Sequence, residues 1–231
     1  MAAKFAVENI KDSEVIPICC DTRSDEHSDN YRFSQDVERW LGRKIVFIKS
    51  EQFDGIDSVF EKVRYMSGVN GARCTTILKK IPRINYAAPD DVHVFGYTVN
   101  EGRRIARFKK YNPDLLLRFV LQEAKITKDD CYKVLNDAGI EIPAMYKLGF
   151  RNNNCIGCVK ASSPWYWSMI RKHFPDVFAR RAAQSRAIGC RLVEIKHHDR
   201  IFLDELPDRE FKQRGKKENI SCGPECGGHL I

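Results

Sequence analysis

Short apolar runs and stretches with helical periodicity follow one another along the first half of the chain. Apolar runs bounded by polar residues predict buried strands at residues 14–20, 44–49 and 92–99. Helices are predicted between and around them, at residues 2–11, 29–41, 58–66, 72–80 and 101–110. Because strands that alternate with helices form parallel sheets covered by helices, the pattern predicts an α/β fold.

Glycine and proline set two of these helix boundaries. Gly42 follows the helix at residues 29–41 and is a suitable C-cap. Pro82 is expected to end the helix at residues 72–80, because proline lacks the N–H group that continues a helix.

The second half of the chain is predicted to be mainly helical. Thr127 is a suitable N-cap for a helix that ends near Gly139, and Pro164 and Pro175 each begin another helix. A short hairpin is expected at residues 191–195 and 200–203. We therefore expect an α/β nucleotide-binding core at residues 1–125 and a helical, cysteine-bearing part at residues 126–231.

Composition places the chain among globular proteins. Its 231 residues are 43% hydrophobic and 10% aromatic, which is enough for a sizeable core. No apolar run approaches the roughly 18–20 residues that span a bilayer, so we expect no membrane partner. The first seven residues are too short and too soon charged for a secretory signal, which favours a cytoplasmic protein.

Net charge and cysteine content limit the kinds of partner and of thiol chemistry that we expect. A net charge of +8 favours an anionic partner, which could be nucleic acid, a nucleotide or a phosphosulfate. The basic residues are spread along the chain, so charge alone does not choose among these partners. Nine cysteines in a cytoplasmic protein are expected to be thiols, metal ligands or redox groups rather than disulfides.

The sequence Cys155-Ile156-Gly157-Cys158, hereafter the Cys-x-x-Cys motif, is the strongest candidate for a site. Gly157 permits the tight turn that lets both sulfurs point at one centre. Cys74 and Cys222 are distant in sequence but could converge on it, and four thiolates bind zinc or an iron–sulfur cluster. Redox-active thiols without metal, and buried inert cysteines, are the alternatives.

Three further groups carry candidate chemistry. Cys226 lies next to a glycine near the chain end, where His229 could lower its pKa and favour the nucleophilic thiolate; an end without a role is the alternative. Asp21 and Thr22 end the first predicted strand, where parallel sheets bind ligands, although simple capping is equally compatible. The cationic candidates for phosphate or sulfate are Lys79, Arg83, Arg103, Arg104 and Lys160.

These residues together resemble a known family. The chain is similar to the phosphoadenosine phosphosulfate (PAPS) reductase family of the PP-loop, adenine nucleotide alpha-hydrolase-like group, and is nearest to its short members in bacteriophages and their hosts. The resemblance covers most of the chain. Its carriers are Cys19-Cys20-Asp21-Thr22 with Tyr31-Arg32-Phe33, Cys74, residues 139–143 with Tyr146 and Gly149, the Cys-x-x-Cys motif after Asn154, and Glu225-Cys226-Gly227 with His229.

The resemblance implies a Rossmann-like parallel sheet with helices on both faces and an adenine nucleotide substrate such as PAPS, adenylylsulfate (APS) or ATP. By this match Cys226 attacks the sulfur and forms a thiosulfonate, which thioredoxin or glutaredoxin releases as sulfite. Gly96 falls in the family's glycine–arginine nucleotide-binding stretch. In adenylylsulfate-type members a Cys-Cys pair and a Cys-x-x-Cys sequence hold a [4Fe–4S] cluster.

The sequence departs from the family pattern at three places. Arg73 stands where the family has a second cysteine, so a four-thiolate site would need Cys222. Gly96 is followed by Tyr97 rather than by the arginines of the family. The family's first strand and Ser-Gly-Gly phosphate loop would lie before Met1, so the sheet is expected to be truncated at its amino end. ATP-dependent sulfur transfer to nucleic acid and an inactive nucleotide-binding remnant are therefore alternatives to reductase activity.

Overall fold

Three pairs of strands form the sheets of the described chain, which comprises residues 1–68, 71–196 and 199–213 of a computed structural model. β1 (Ile18–Cys20) pairs in parallel with β2 (Val46–Ile48). β3 (Val92–Val94) pairs in parallel with β4 (Leu116–Arg118). β5 (Val193–Lys196) and β6 (Asp199–Ile201) form an antiparallel hairpin. Parallel strand pairs connected through helices confirm the α/β class.

The helices of the described residues are α1 (Ala2–Asn9), α2 (Asp29–Leu41), α3 (Ile56–Val63), α4 (Arg73–Thr75), α5 (Ile81–Tyr86), α6 (Gly102–Tyr111), α7 (Val120–Glu123), α8 (Lys128–Asp137), α9 (Ala144–Lys147), α10 (Pro164–His173) and α11 (Pro175–Ile188). A π-helical turn, Thr76–Lys80, joins α4 to α5. Short 3₁₀ turns lie at Arg23–Asp25, Val99–Glu101 and Leu203–Glu205.

Helices α2 and α6 pack on the two strand pairs through apolar stripes. Phe33, Val37 and Leu41 of α2 lie at helical spacing and bury against the β1–β2 pair. Ile105 and Phe108 of α6 do the same against the β3–β4 pair. Each strand pair thus has its own helix and its own small apolar cluster.

Helix α1 connects the two strand pairs on one face. Its Ala2 packs in the cluster that Val94 of β3 joins, and its Ala3 packs in the cluster of α2. The opposite face is covered by α5 and the π-helical turn, since the Cys20 thiol donates to the Lys79 carbonyl oxygen over 3.3 Å. The Arg83 guanidinium on α5 lies 5.1 Å from the centre of the Phe95 ring. Helices therefore lie on both faces of the strands.

The largest apolar core lies between α3 and the C-terminal helices. Phe60 of α3 and Trp167 and Ile170 of α10 are completely buried in it. The indole N–H of Trp167 donates to the carbonyl oxygen of Ala161 over 2.8 Å, so the ring is buried without an unsatisfied donor. Because this core joins residues on both sides of position 125, the two predicted parts pack against each other.

Most predicted helices are confirmed to within two residues, and the predicted hairpin is present. The predicted stop at Pro82 is wrong, because helical backbone continues to Tyr86. The π-helical turn ends immediately before this segment and places Pro82 in the first turn of α5, where a missing N–H is tolerated. The strands are shorter than predicted, since the run at residues 92–99 leaves the sheet after Val94.

Candidate thiol and nucleotide site

The Cys-x-x-Cys motif lies at the carboxyl end of β1. The backbone N–H of Ile156 donates to the carbonyl oxygen of Asp25 over 2.8 Å, within the loop that follows β1. The side-chain amide of Asn153 donates to the Asn30 side-chain oxygen over 2.8 Å. Ile156 of the motif and Asn153 just before it are therefore hydrogen-bonded to the loop and helix that follow β1. The partners in each bond are more than 120 residues apart in the sequence.

Gly157 gives the motif its turn. Its φ of +70° is in the left-handed region, which glycine adopts without a steric penalty. A Cβ atom at this position would come within 2.9 Å of a Val177 methyl carbon and 3.2 Å of Arg181 Cγ. The N–H of Cys158 then donates to the Tyr166 hydroxyl oxygen over 2.8 Å. The turn is thus fixed by α10 and α11 as well as by its own backbone.

The fold brings Cys74 to the Cys-x-x-Cys motif. Burial raises the pKa of Cys74 to about 11, and the nearby Cys158 adds to the increase. Burial also raises the pKa of Cys155 well above its usual value, with contributions from Glu26, Cys158 and Cys74. The three thiols are therefore close enough to influence one another, and those of Cys74 and Cys155 are protonated near neutral pH.

Three thiols alone do not make a metal site. In the three described ranges, no three His, Cys, Asp or Glu side chains are arranged so that they could hold a metal ion. These residues therefore do not by themselves fit a zinc ion or an iron–sulfur cluster. Cys222, the fourth predicted ligand, lies outside the described residues, so the four-thiolate site stays a prediction.

Cys19 and Cys20 add two thiols to the same region. Burial raises the pKa of Cys19 to about 12, with a further contribution from Glu26. The charges of Lys79 and Arg83 oppose the increase that burial causes at Cys20. Lys79 also opposes it at Cys74 and Cys155. The charge of Lys79 therefore opposes the increase in pKa at four thiols, those of Cys19, Cys20, Cys74 and Cys155.

Asp21 and Thr22 lie where the sequence predicted, directly after β1, and both make bonds inside the chain. Asp21 forms a bidentate ion pair with Arg23, each N–O distance being 2.8 Å, and this bonding lowers the pKa of Asp21. The buried Thr22 hydroxyl donates to Glu26 over 2.7 Å. Their contact with a nucleotide stays a prediction, and their observed partners stabilise the loop after β1.

The predicted cationic residues lie at three places. Lys79 and Arg83 line a cleft of about 610 Å³ between β1 and β3, which Gly96 also lines. Lys160 lies near Cys74, because its charge lowers the pKa of that thiol against the effect of burial.

Arg103 and Arg104 lie in the first turn of α6, after the carboxyl end of β3, and do not line this cleft. The Arg104 guanidinium is 2.5 Å from Glu101 and lies 4.6 Å from the centre of the Tyr97 ring.

Arg181 is the residue of this region that sequence analysis missed. It is 1% exposed, forms an ion pair with Asp57 of α3, and donates to Gln184 over 2.6 Å. Its side chain lies beside Gly157 and therefore packs against the turn of the Cys-x-x-Cys motif. In the sequence, Arg181 is one of several arginines in the segment that forms α11. Without the tertiary fold it cannot be distinguished from an arginine on the surface.

Several predicted residues fall outside the described part of the chain. They are Cys222, Cys226 and His229. No helix among the described residues is long and apolar enough to cross a bilayer. Comparison with known proteins found no matching family model, no matching curated protein and no matching solved structure.

Proposed function

We propose that the protein is a sulfonucleotide reductase of the PAPS reductase type, with a Rossmann-like arrangement of its two parallel strand pairs. One observation carries the proposal: the Cys-x-x-Cys motif is hydrogen-bonded to the loop after β1, through Ile156 and Asp25. This contact places a thiol cluster at the carboxyl end of a parallel strand, where α/β proteins bind nucleotides. Family resemblance supplies the substrate class.

The cationic side chains favour a phosphosulfate over a neutral ligand. Lys79 and Arg83 lie beside the carboxyl end of β1, and Lys160 lies beside Cys74. Their positive charges would offset the negative charges of the phosphate and sulfate groups. A guanidinium can also bind two anionic oxygens at once. Bound in this way, the sulfate group would lie next to the thiols.

In the proposed reaction the thiolate of Cys226 attacks the sulfur of the phosphosulfate. A sulfur–sulfur bond forms, the sulfur–oxygen bond to phosphate breaks, and the nucleotide leaves with that electron pair. A thioredoxin or glutaredoxin dithiol then attacks Cys226, releases sulfite and is oxidised to a disulfide. The high pKa values of Cys74 and Cys155 keep these neighbouring thiols protonated, so they do not compete as nucleophiles.

Sulfite release tests the proposal. With PAPS or APS and reduced thioredoxin, the wild-type chain is expected to release sulfite, and Cys226→Ser is expected to abolish release. Cys190→Ser is the matched control, because the Cys190 thiol donates to the Ser67 carbonyl oxygen away from the site. Binding of either nucleotide without sulfite release from the wild type would contradict reductase activity and leave a nucleotide-binding remnant.

A second candidate is ATP-dependent sulfur transfer to nucleic acid. Helix α6 favours it, because the exposed side chains of Arg103, Arg107, Lys109 and Lys110 give this helix a cationic surface. ATP consumption that rises on addition of tRNA or DNA would support this candidate, provided that no sulfite is formed.

Metal content is a separate measurement, and the ultraviolet–visible spectrum of anaerobically purified protein distinguishes an iron–sulfur cluster from zinc.

A further inference from the structure

Helix α6 concentrates positive charge on its solvent side. Half of its residues are basic and none is acidic, the basic ones being Arg103, Arg104, Arg107, Lys109 and Lys110. Ile105 and Phe108 are buried against the β3–β4 pair, so they mark the inner side of the helix. At about 3.6 residues per turn, Arg103, Arg107 and Lys110 lie on the opposite side, and all three are exposed. These three residues, hereafter the α6 stripe, extend over about 10 Å of the helix axis.

The α6 stripe differs from the arginines of α11 in how its charge is neutralised. On α11, Arg180, Arg181 and Arg186 each form an ion pair with an aspartate. On α6, Arg104 pairs with Glu101, but it lies outside the stripe. Within the described part of the chain, no Asp or Glu side chain forms an ion pair with a residue of the stripe. The stripe therefore keeps its positive charge toward solvent, where a polyanion can neutralise it.

An exposed aromatic ring lies beside the stripe. Tyr111, the last residue of α6, is 54% exposed, and the Arg107 guanidinium lies 6.0 Å from the centre of its ring. The bases of a single nucleic-acid strand stack on aromatic rings, while its phosphates bind cations. Bases in a duplex are stacked on one another, so a protein ring reaches their faces only by disrupting the duplex. The stripe and Tyr111 together therefore favour a single strand over a duplex.

A lipid surface does not fit the outward side of α6. Helices that lie on membranes direct large apolar side chains into the lipid. On α6 the large aliphatic and phenyl side chains, Ile105 and Phe108, are buried in the protein, and the small Ala106 is exposed beside the stripe. Attraction to anionic headgroups would therefore have little apolar insertion to add to it.

We propose that the α6 stripe and Tyr111 bind single-stranded nucleic acid. Arg103, Arg107 and Lys110 bind its phosphates, and one base stacks on the Tyr111 ring. The guanidinium groups of the two arginines can each bind two phosphate oxygens at once.

This surface is separate from the proposed nucleotide site. Lys79, Arg83 and Lys160 are not part of it, and neither Tyr111 nor any residue of the stripe lines the cleft between β1 and β3. The inference rests neither on reductase activity nor on ATP-dependent sulfur transfer, because it concerns binding without reaction.

Fluorescence anisotropy tests the inference with two labelled probes of equal length, oligodeoxythymidylate and oligouridylate. The two probes distinguish single-stranded DNA from RNA as the source of the same phosphates and bases. The stripe variant carries Arg103→Gln, Arg107→Gln and Lys110→Gln. At about 50 mM salt, its Kd for the probe that the wild type binds more tightly is expected to rise about tenfold or more.

A charge-matched control distinguishes the stripe from the net charge of the chain. It carries Lys125→Gln, Lys133→Gln and Lys172→Gln, which remove the same charge from exposed positions outside α6. Its Kd is expected to stay within about twofold of the wild-type value. The slope of the logarithm of the association constant against that of salt concentration is expected to be shallower by about 2 in the stripe variant, since each phosphate contact of a single strand contributes about 0.7. The control is expected to keep the wild-type slope.

Tyr111→Ala tests the stacked base. Loss of the ring is expected to raise the Kd for the single strand about fivefold or more, whereas Tyr111→Phe keeps a ring and is expected to bind as the wild type does. A duplex of the same length is expected to bind the wild type more weakly than the single strand does, and its Kd is expected not to change in Tyr111→Ala. Circular dichroism checks that all variants fold.

Four results would overturn the inference. They are the absence of saturable binding of either probe, equal losses of affinity in the stripe variant and the charge-matched control, wild-type affinity in Tyr111→Ala, and tighter binding of the duplex than of the single strand. Displacement of the probe by phosphatidylserine vesicles at equal negative charge would assign the surface to lipid instead. Probe binding, the duplex comparison and the vesicle competition use the wild type alone, so a folding defect in a variant does not affect them. Sulfite release is measured without nucleic acid, so either proposal can fail without the other.

Discussion

Gly157 and Arg181 together hold the turn of the Cys-x-x-Cys motif. The glycine has a positive φ, and the Arg181 side chain fills the space that a larger residue at position 157 would need. Arg181 is in turn held by Asp57 and Gln184. A buried guanidinium is costly unless it is paired, so these partners determine whether the motif keeps its position.

Gly157→Ala is expected to destabilise the chain through both strain and contact. A left-handed alanine costs about 1–2 kcal/mol, and overpacking against Val177 and Arg181 adds about 1–3 kcal/mol. Gly189→Ala is the control, because Gly189 has a φ of +77° but nothing within 4 Å of an added Cβ. Urea denaturation measures both variants. Equal losses of unfolding free energy would show that the contact with Arg181 is unimportant.

The Asp57–Arg181 ion pair predicts a pH-dependent stability. Burial raises the pKa of Asp57, but the charge of Arg181 and the hydrogen bonds of Gln184 and Arg181 outweigh it, so the pKa lies below its usual value. The stabilisation is therefore complete above the unfolded pKa of about 3.9 and is lost as pH falls through the lower folded value.

Asp57→Asn is expected to cost about 3 kcal/mol at pH 7, because it leaves the buried Arg181 without its anionic partner. The difference between variant and wild type is expected to shrink as pH falls below about 4, where the Asp57 carboxyl of the unfolded chain takes up a proton, and to disappear below the lower folded pKa. Denaturation at several pH values measures this. Asp204→Asn, which breaks an exposed pair with Arg186, serves as control and is expected to change stability little. A pH-independent difference would contradict the assignment to this ion pair.

At the scale of elements, α6 is positioned by an aromatic cluster. Phe108 is completely buried, and its ring centre lies 4.6 Å from that of Phe95 and 5.9 Å from that of Tyr97. Phe119 packs edge-on to it at 6.3 Å. These contacts attach the cationic helix to the β3–β4 pair.

Phe108→Ala is expected to lower the free energy of unfolding by about 3–5 kcal/mol, since it removes a buried ring and leaves a cavity. Tyr111→Ala on the same helix is the control, because Tyr111 is 54% exposed. Alanine raises helix propensity at both positions, so thermal denaturation of the two variants isolates the loss of packing at Phe108. A small effect at Phe108 would mean that α6 is held mainly by other contacts.

At the scale of the whole molecule, Lys79 lines the cleft beside β1 and also lies near the buried Cys155 thiol of the Cys-x-x-Cys motif. Lys79 and Arg83 come from the π-helical turn and α5, whereas the Cys-x-x-Cys motif comes from the C-terminal part. Their proximity depends on packing between segments that are distant in sequence. Binding at the proposed nucleotide site is therefore expected to require packing of these segments against one another.

Arg83→Lys is expected to weaken binding of adenosine 3′,5′-bisphosphate about tenfold, equivalent to about 1.4 kcal/mol, because lysine cannot bind two oxygens in the fork geometry of arginine. Arg107→Lys on the exposed side of α6 is the control and is expected to bind as the wild type does. Calorimetric titration measures both. Equal affinities of the two variants would remove Arg83 from the proposed nucleotide site.

The sequence by itself determined most elements and their class. Periodicity located α2, Pro175 marked the start of α11, and Gly42 was confirmed as the left-handed C-cap of α2. These features are local, since capping and helical spacing depend on neighbouring residues. The Cys-x-x-Cys motif was recognisable for the same reason, because its turn needs only Gly157.

Only the tertiary structure decided which residues meet. It brought Cys74 to the motif, placed Arg181 beneath Gly157, and let the helix continue past Pro82 through a π-helical turn. Among the described residues it paired β1 with β2 and β3 with β4, and placed β1 and β3 on one cleft. Such contacts join residues tens of positions apart, and their energies depend on burial and packing that no local pattern contains.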